Sequence, residues 1–167
     1  MDQRALRNTR LTYEYRELME VNSDVIQLKA LGSAPYEKYR ITFNIRTIIS
    51  PIPTHREKTV CNLIIPSEYP IVKPIVTVDD CSMPPPWHVN WYVDGRWCEG
   101  DWRIEESLVT FIYRCARTIQ FHPDYTDARY DAAANKDAIA FWDANKNNRS
   151  VIPCDNKNII DNHYRGG

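Results

Sequence analysis

His88-Val89-Asn90-Trp91-Tyr92-Val93-Asp94-Gly95-Arg96-Trp97-Cys98 is the stretch around which the rest of the sequence is organised. It sets a side-chain amide, a turn glycine and a single thiol at fixed spacing. Sequence periodicity disappears from Cys81 to Trp97, and Pro84-Pro85-Pro86 has no backbone N–H to give to a sheet. A structureless segment of this length in a compact domain is either functional or disordered. The aromatic density argues against disorder: Trp87, Trp91, Tyr92 and Trp97 supply apolar bulk to pin the loop to the domain. Cys98 then reads as a nucleophile that the rest of the chain positions.

Upstream, the pattern is that of strands. Val25 to Leu31 is expected as a strand closed by the turn Gly32-Ser33-Ala34-Pro35. Tyr39, Ile41, Phe43 and Ile45 alternate with Arg40, Thr42 and Asn44, the period of a half-buried antiparallel strand. Pro51-Ile52-Pro53 opens a loop. Thr59 to Ile65 and Ile75 to Val78 resume the strands, separated by the proline-punctuated Tyr69–Pro74 link. Strands in succession with short connections make an antiparallel meander. Before them, Asp2 to Glu20 is expected as a helix, with Leu11, Tyr15 and Leu18 on one face. Its Arg4, Arg7 and Arg10 read as a solvated face, or more sharply as a docking surface for an acidic partner.

Downstream, Glu105 to Phe121 is the clearest helix. Leu108, Phe111, Ile112, Cys115, Ala116 and Ile119 form an apolar stripe that should lie on the sheet. His122-Pro123-Asp124 ends it, and Asp131 to Asn145 is a weaker helical segment. The fold class is therefore α+β: an N-terminal helix, a four-stranded antiparallel meander, an irregular active-site loop, then C-terminal helices packed on the sheet. One domain spans residues 1–146, followed by a polar, Asn-rich and loosely held tail over 147–167.

Composition narrows the function. At 167 residues, with 43% hydrophobic and 26% charged residues, the chain suits one soluble domain. A net charge of -1 argues against nucleic acid as a partner. No apolar run reaches membrane length. With no secretory pattern behind Met1-Asp2-Gln3-Arg4, a cytoplasmic location is expected. Cys61, Cys81, Cys98, Cys115 and Cys154 form no CxxC pair, so reduced thiols are expected. Cys61 and Cys115 read as core; Cys81 and Cys154 carry no motif. Cys81, His88 and Cys98 are too irregularly spaced for a zinc site, and no metal or cofactor is expected. The run from Cys98 to Arg103 is one residue too short for a cysteine-phosphatase loop and poor in phosphate-cradling glycines. A papain-like hydrolase using His122 has no other support.

These residues resemble the ubiquitin-conjugating enzymes. Tyr69, Pro70 and Pro74 match that family's Tyr-Pro-x-x-x-Pro segment. His88-Val89-Asn90 stands where it has His-Pro-Asn, Gly95 falls at its turn, and Cys98 lies eight positions beyond Asn90. The resemblance runs from Met1 to Asn145 in element order. Val89 in place of proline, Trp97 in place of a smaller aliphatic residue and the long Cys81–Trp87 insertion look more like the divergent bacterial members. Those are encoded beside activating-enzyme and ubiquitin-like genes and are linked to antiviral defence.

The resemblance implies that Cys98 carries a ubiquitin-like protein as a thioester and passes it to an amine or another nucleophile. It gives Asn90 the role of amide donor to the charged carbonyl oxygen and leaves His88 to brace the loop. Either Asp124 or Asp127 would be the acid that orients the incoming amine; Glu99 and Asp101 have less support. The implied partners are an activating enzyme, a ubiquitin-like protein, an acceptor protein and a ligase. The rival reading is a non-catalytic, RWD-like binding module of the same fold. Tyr164-Arg165-Gly166-Gly167 is similar to the tail of ubiquitin, which reads as chance or, alternatively, as a tail that an activating enzyme or a peptidase could read.

Overall fold

The computed structural model describes residues 2–52 and 54–159; the Gly166-Gly167 terminus lies outside them. Helix α1, Gln3–Glu20, is capped by Asp2, whose carboxylate accepts the Arg4 N–H at 3.1 Å. Leu11 and Leu18 are fully buried, as their spacing requires. Between them Glu14 is buried as well. Its carboxylate accepts the Tyr69 hydroxyl at 2.7 Å, the Leu108 N–H at 2.8 Å and the Arg10 Nε at 3.2 Å. A buried carboxylate survives only with such partners. Here it bolts α1 to the Tyr69–Pro74 link and to the long helix.

Arg7 and Arg10 of α1 depart from the solvated face expected of them. Arg7 pairs with Glu37 at 2.6 Å and donates to the Pro66 carbonyl at 2.8 Å. Arg10 reaches the carbonyls of Ile104 and Glu106 as well as Glu14. Arg4 stays exposed.

The four-stranded meander is present. Strands β1 (Ile26–Leu31), β2 (Lys38–Phe43), β5 (Thr59–Ile64) and β6 (Ile75–Val78) pair in the order β1-β2-β5-β6, all antiparallel. The register lines up Leu28, Ile41, Cys61 and Val78 in one buried row across the sheet. Cys61 is part of that row, and burial drives its thiol pKa far up. Between β2 and β5 the chain makes a separate hairpin, β3 (Thr47–Ser50) with β4 (Thr54–Arg56), where the prolines suggested only a loop. Strands of three and four residues are too short to show a period.

Helix α2, Leu108–Ile119, starts at Ser107, whose hydroxyl accepts the Thr110 N–H at 3.1 Å. Its expected stripe is buried from Leu108 to Ile119. Phe121 then turns the chain with φ 60°, an uncommon backbone for a residue with a side chain. Its buried ring meets His88 edge-on at 4.6 Å.

Helix α3 is confined to Ala138–Asn145, shorter than expected. The Ala134 and Asn135 N–H groups donate instead to the Val89 carbonyl, at 2.7 and 3.1 Å. A second apolar cluster forms there from Ile48, Val89, Phe121, Phe141, Trp142 and Ile152. Ile152 and Ile159 are both buried and the Cys154 N–H donates to the Gln120 carbonyl, so residues 152–159 pack against the body, unlike the loose tail expected, while 147–150 are exposed. Among the described residues, no helix is long and apolar enough to cross a membrane.

Candidate active site

The eight-residue spacing from Asn90 to Cys98 has a geometric cause. The Cys98 N–H donates to the Asn90 carbonyl at 2.8 Å, Trp91 pairs with Trp97, and the Tyr92 N–H donates to the Arg96 carbonyl at 2.8 Å. The segment expected to be irregular thus ends in a tight hairpin. Side chains alternate across such a pair. Trp91 and Trp97 point into the core, where Trp97 meets Phe111 edge-on at 5.0 Å. By the same alternation Asn90, Tyr92, Arg96 and Cys98 share the opposite face.

Gly95 makes the turn possible. It has φ +94°, and a Cβ there would sit 2.6 Å from Cγ2 of Val78. Its carbonyl accepts the Val78 N–H at 2.9 Å, and the Trp97 N–H donates to Val76 at 3.0 Å. The second arm of the hairpin therefore extends the sheet along β6 and delivers Cys98 to its rim.

Cys98 is partly exposed and opens onto a cleft of about 320 Å³. Asn90, Glu99, Asp101, Arg114, Asp124 and Asp127 are among its walls, so all four residues singled out from the sequence meet here. The Asn90 Oδ1 accepts the Asp127 N–H at 2.9 Å, which fixes the orientation of the amide. Among the described residues, nothing accepts from its NH₂ group. A donor is therefore left at the cleft with its direction already set.

His88 is buried, and its Nδ1 accepts the Asn90 N–H at 3.0 Å. Nε2 must then carry the proton, and it donates to the Thr126 hydroxyl at 3.1 Å; that hydroxyl in turn donates to the His122 carbonyl at 3.0 Å. Burial pushes the His88 pKa down to about 3, so the ring is neutral at ordinary pH. Its contacts tie residues 122–127 to the hairpin. They do not reach the sulfur.

The sign of the resulting pH effect is fixed. Between about pH 3 and 6.5 the unfolded chain binds a proton at His88 that the folded chain refuses. Stability from this residue is full above that window and is lost as pH falls through it, by at most about 1.4 kcal/mol per pH unit. The thermal midpoint should drop between pH 7 and pH 5, and the drop should flatten in His88→Gln.

The two aspartates differ. Asp127 is gripped by Arg129 at 2.7 and 2.9 Å, which holds its carboxyl below the usual range. The Asp124 carboxylate is exposed, 3.9 Å from the His122 Nδ1. Glu99 is buried and engaged by the Lys73 ammonium, and Asp101 is exposed. Of the other thiols, Cys115 is buried, and burial raises Cys154 to about 12; Cys81 is exposed, away from this cleft.

No family model matches this sequence, and no curated protein matches it. Solved structures do. A ubiquitin-conjugating enzyme from Plasmodium falciparum aligns with a TM-score of 0.53 at 20% identity, over 67% of this chain and 82% of its own. One from Plasmodium vivax gives 0.51 at 17% identity, over 66% and 98%. One from Agrocybe aegerita gives 0.51 at 19% identity, over 67% and 80%. The fold is that of the ubiquitin-conjugating enzymes. At such identities the likeness carries the fold alone. None of these three is bacterial, so the bacterial placement has only Val89, Trp97 and the Cys81–Trp87 insertion behind it.

In this ubiquitin-conjugating fold the departures find local explanations. Val89 lacks a proline's ring, yet it is fully buried in the second cluster and its carbonyl takes two N–H donors. Packing replaces the covalent restraint. Trp97 fills the core beside Phe111. Sequence reading missed Tyr92, which it assigned to pinning the loop. The Cys98 sulfur beside its hydroxyl, and then burial, raise the Tyr92 pKa, while Arg96 lies over its ring at 4.6 Å. Reading residues 90–98 as a hairpin would have found it, since Tyr92 has the same parity as Asn90 and Cys98.

Proposed function

We propose that this protein is a conjugating enzyme: it carries a ubiquitin-like protein as a thioester on Cys98 and transfers it to an amine. The observation that carries the reading is the pairing of Asn90 with Cys98 across the hairpin, with an unengaged amide donor and a reachable sulfur on one cleft. The Cys98 thiolate attacks the activated C-terminal carbonyl, the new C–S bond forms, and the bond to the activating enzyme's thiol breaks, that sulfur leaving as its thiolate. An amine nitrogen then attacks the new thioester, negative charge builds on the carbonyl oxygen, and the Asn90 NH₂ donates to it. Collapse expels Cys98 as the thiolate, and the proton on the amine nitrogen passes to solvent.

The acid beside the amine is Asp124, because Asp127 already spends its carboxylate on Arg129. The partners are an activating enzyme, the ubiquitin-like protein, an acceptor protein and a ligase. A cleft of about 650 Å³ between α1 and the Tyr69–Ile71 link, with Arg4, Leu6 and Ile71 exposed on it, suits the docking of one of them.

The test is incubation with activating enzyme, ubiquitin-like protein and ATP. An adduct sensitive to thiols should form, vanish in Cys98→Ala, and become thiol-resistant in Cys98→Ser, where an oxyester replaces the thioester. An unmodified wild type that still binds the ubiquitin-like protein would make it a binding module.

A further inference from the structure

We infer that Arg114 is a positioning residue for the nucleophile: it fixes the backbone that follows Cys98, and with it the direction from which the sulfur meets the Asn90 amide. The inference rests on the reading of Cys98 as the acyl carrier. Arg114 lies on α2, and its guanidinium forms one wall of the Cys98 cleft. Its Nη1 donates to the Glu99 carbonyl at 2.6 Å and its Nη2 to the Asp101 carbonyl at 3.2 Å. Among the described residues, no backbone N–H reaches either carbonyl. The segment just after the nucleophile is therefore held, on its carbonyl side, by one side chain.

That side chain is itself held in place. Glu106 grips the guanidinium in fork geometry, Nε at 2.7 Å and Nη2 at 3.0 Å. The Glu106 N–H donates to Arg103, and its carbonyl accepts Arg10 from α1 at 2.8 Å, so the gripping residue is anchored on two sides. On the other flank of Cys98, Arg114 lies over the Trp97 ring at 5.8 Å. One rigid, planar cation thus touches the residue before the sulfur and two residues after it. A lysine cannot do this, having a single ammonium and no fork.

The probe is an N-acetyl-glycylglycine thioester of mercaptoethanesulfonate, with free lysine as acceptor. In loading, a bond forms between the Cys98 sulfur and the glycyl carbon, and mercaptoethanesulfonate leaves as its thiolate. In discharge, the lysine nitrogen bonds to that carbon, Cys98 leaves as thiolate, and the ammonium proton passes to buffer. Loading and single-turnover discharge are timed separately in wild type, Arg114→Gln and Arg114→Lys, along with thermal midpoints and amide exchange at residues 99–102.

Misplaced reacting groups lose rate steeply. Both variants should therefore discharge roughly tenfold more slowly at saturating lysine, with the half-saturating lysine concentration unchanged. Loading should fall much less, and exchange at 99–102 should quicken. Discharge within about twofold of wild type in either folded variant would overturn the inference. Equal losses in loading and discharge would also overturn it, since they would mark a merely structural residue. Failure of wild type to take the acyl group would instead sink the reading of Cys98.

Discussion

Asn90→Ala should slow transfer from loaded Cys98 by about 10²–10³ while slowing loading far less. The amide has two jobs, and the substitution removes both. Its Oδ1 holds the Asp127 N–H at 2.9 Å, and its NH₂ stands unengaged at the cleft. Asn90→Asp separates the two. A carboxylate still accepts the Asp127 N–H, so residues 122–127 keep their place, but it has no donor and carries charge of the same sign as the oxygen in the transition state. Single-turnover discharge of Asn90→Asp should be at least as slow as that of Asn90→Ala. If Asn90→Asp kept the wild-type rate while Asn90→Ala lost it, the residue would be a brace and nothing more.

Gly95→Ala should lower stability by about 3 kcal/mol. Two penalties act together: the left-handed backbone at φ +94°, and a Cβ driven to 2.6 Å from Cγ2 of Val78. Val78 is β-branched, sits in a strand and is nearly buried, so it has little room to yield. For a chain of this size the loss corresponds to roughly 6–12 °C in the thermal midpoint. Gly95→Asn tests the cause. Asparagine tolerates a left-handed backbone better than alanine, but brings the same Cβ. If contact with Val78 dominates, both variants should melt at similar temperatures; a much milder Gly95→Asn would mean that backbone conformation costs more than the contact.

What the sequence made legible was the part governed by period. Tyr39, Ile41 and Phe43 alternate because β2 has one buried face, and the α2 stripe repeats because one side of that helix lies in the core. Where partners are chosen in three dimensions, period gives no signal. Glu14 looks like one more surface charge until Tyr69 and Leu108, 55 and 94 residues away, arrive to satisfy it. Arg7 and Arg10 mislead in the same way, since their acceptors Pro66 and Glu106 are remote in the chain. Asp131 to Ala134 have helical composition, but the Val89 carbonyl captures the Ala134 and Asn135 N–H groups, so α3 begins only at Ala138.

The candidate site divides along the same line. Cys98 and Asn90 came from motif spacing, Asp124 and Asp127 only from their place just past the long helix, and all four line one cleft. Neither Tyr92 nor Arg114 carries a motif: hairpin parity sets the Tyr92 hydroxyl beside the Cys98 sulfur, and a long side chain from α2 brings Arg114 to the cleft wall.

Under the proposed function, one particular sulfur is committed to acyl transfer. Five free thiols are present, and Cys81 is also exposed, so exposure alone does not choose between it and Cys98. The direct measurement is peptide mapping by mass spectrometry after brief exposure to activating enzyme, ubiquitin-like protein and ATP, quenched at low pH to preserve thioesters. The expected result is an acyl group on Cys98 alone, with Cys81, Cys154, Cys61 and Cys115 unmodified. Acylation of Cys81 to the same extent, or of any thiol in preference to Cys98, would contradict the account.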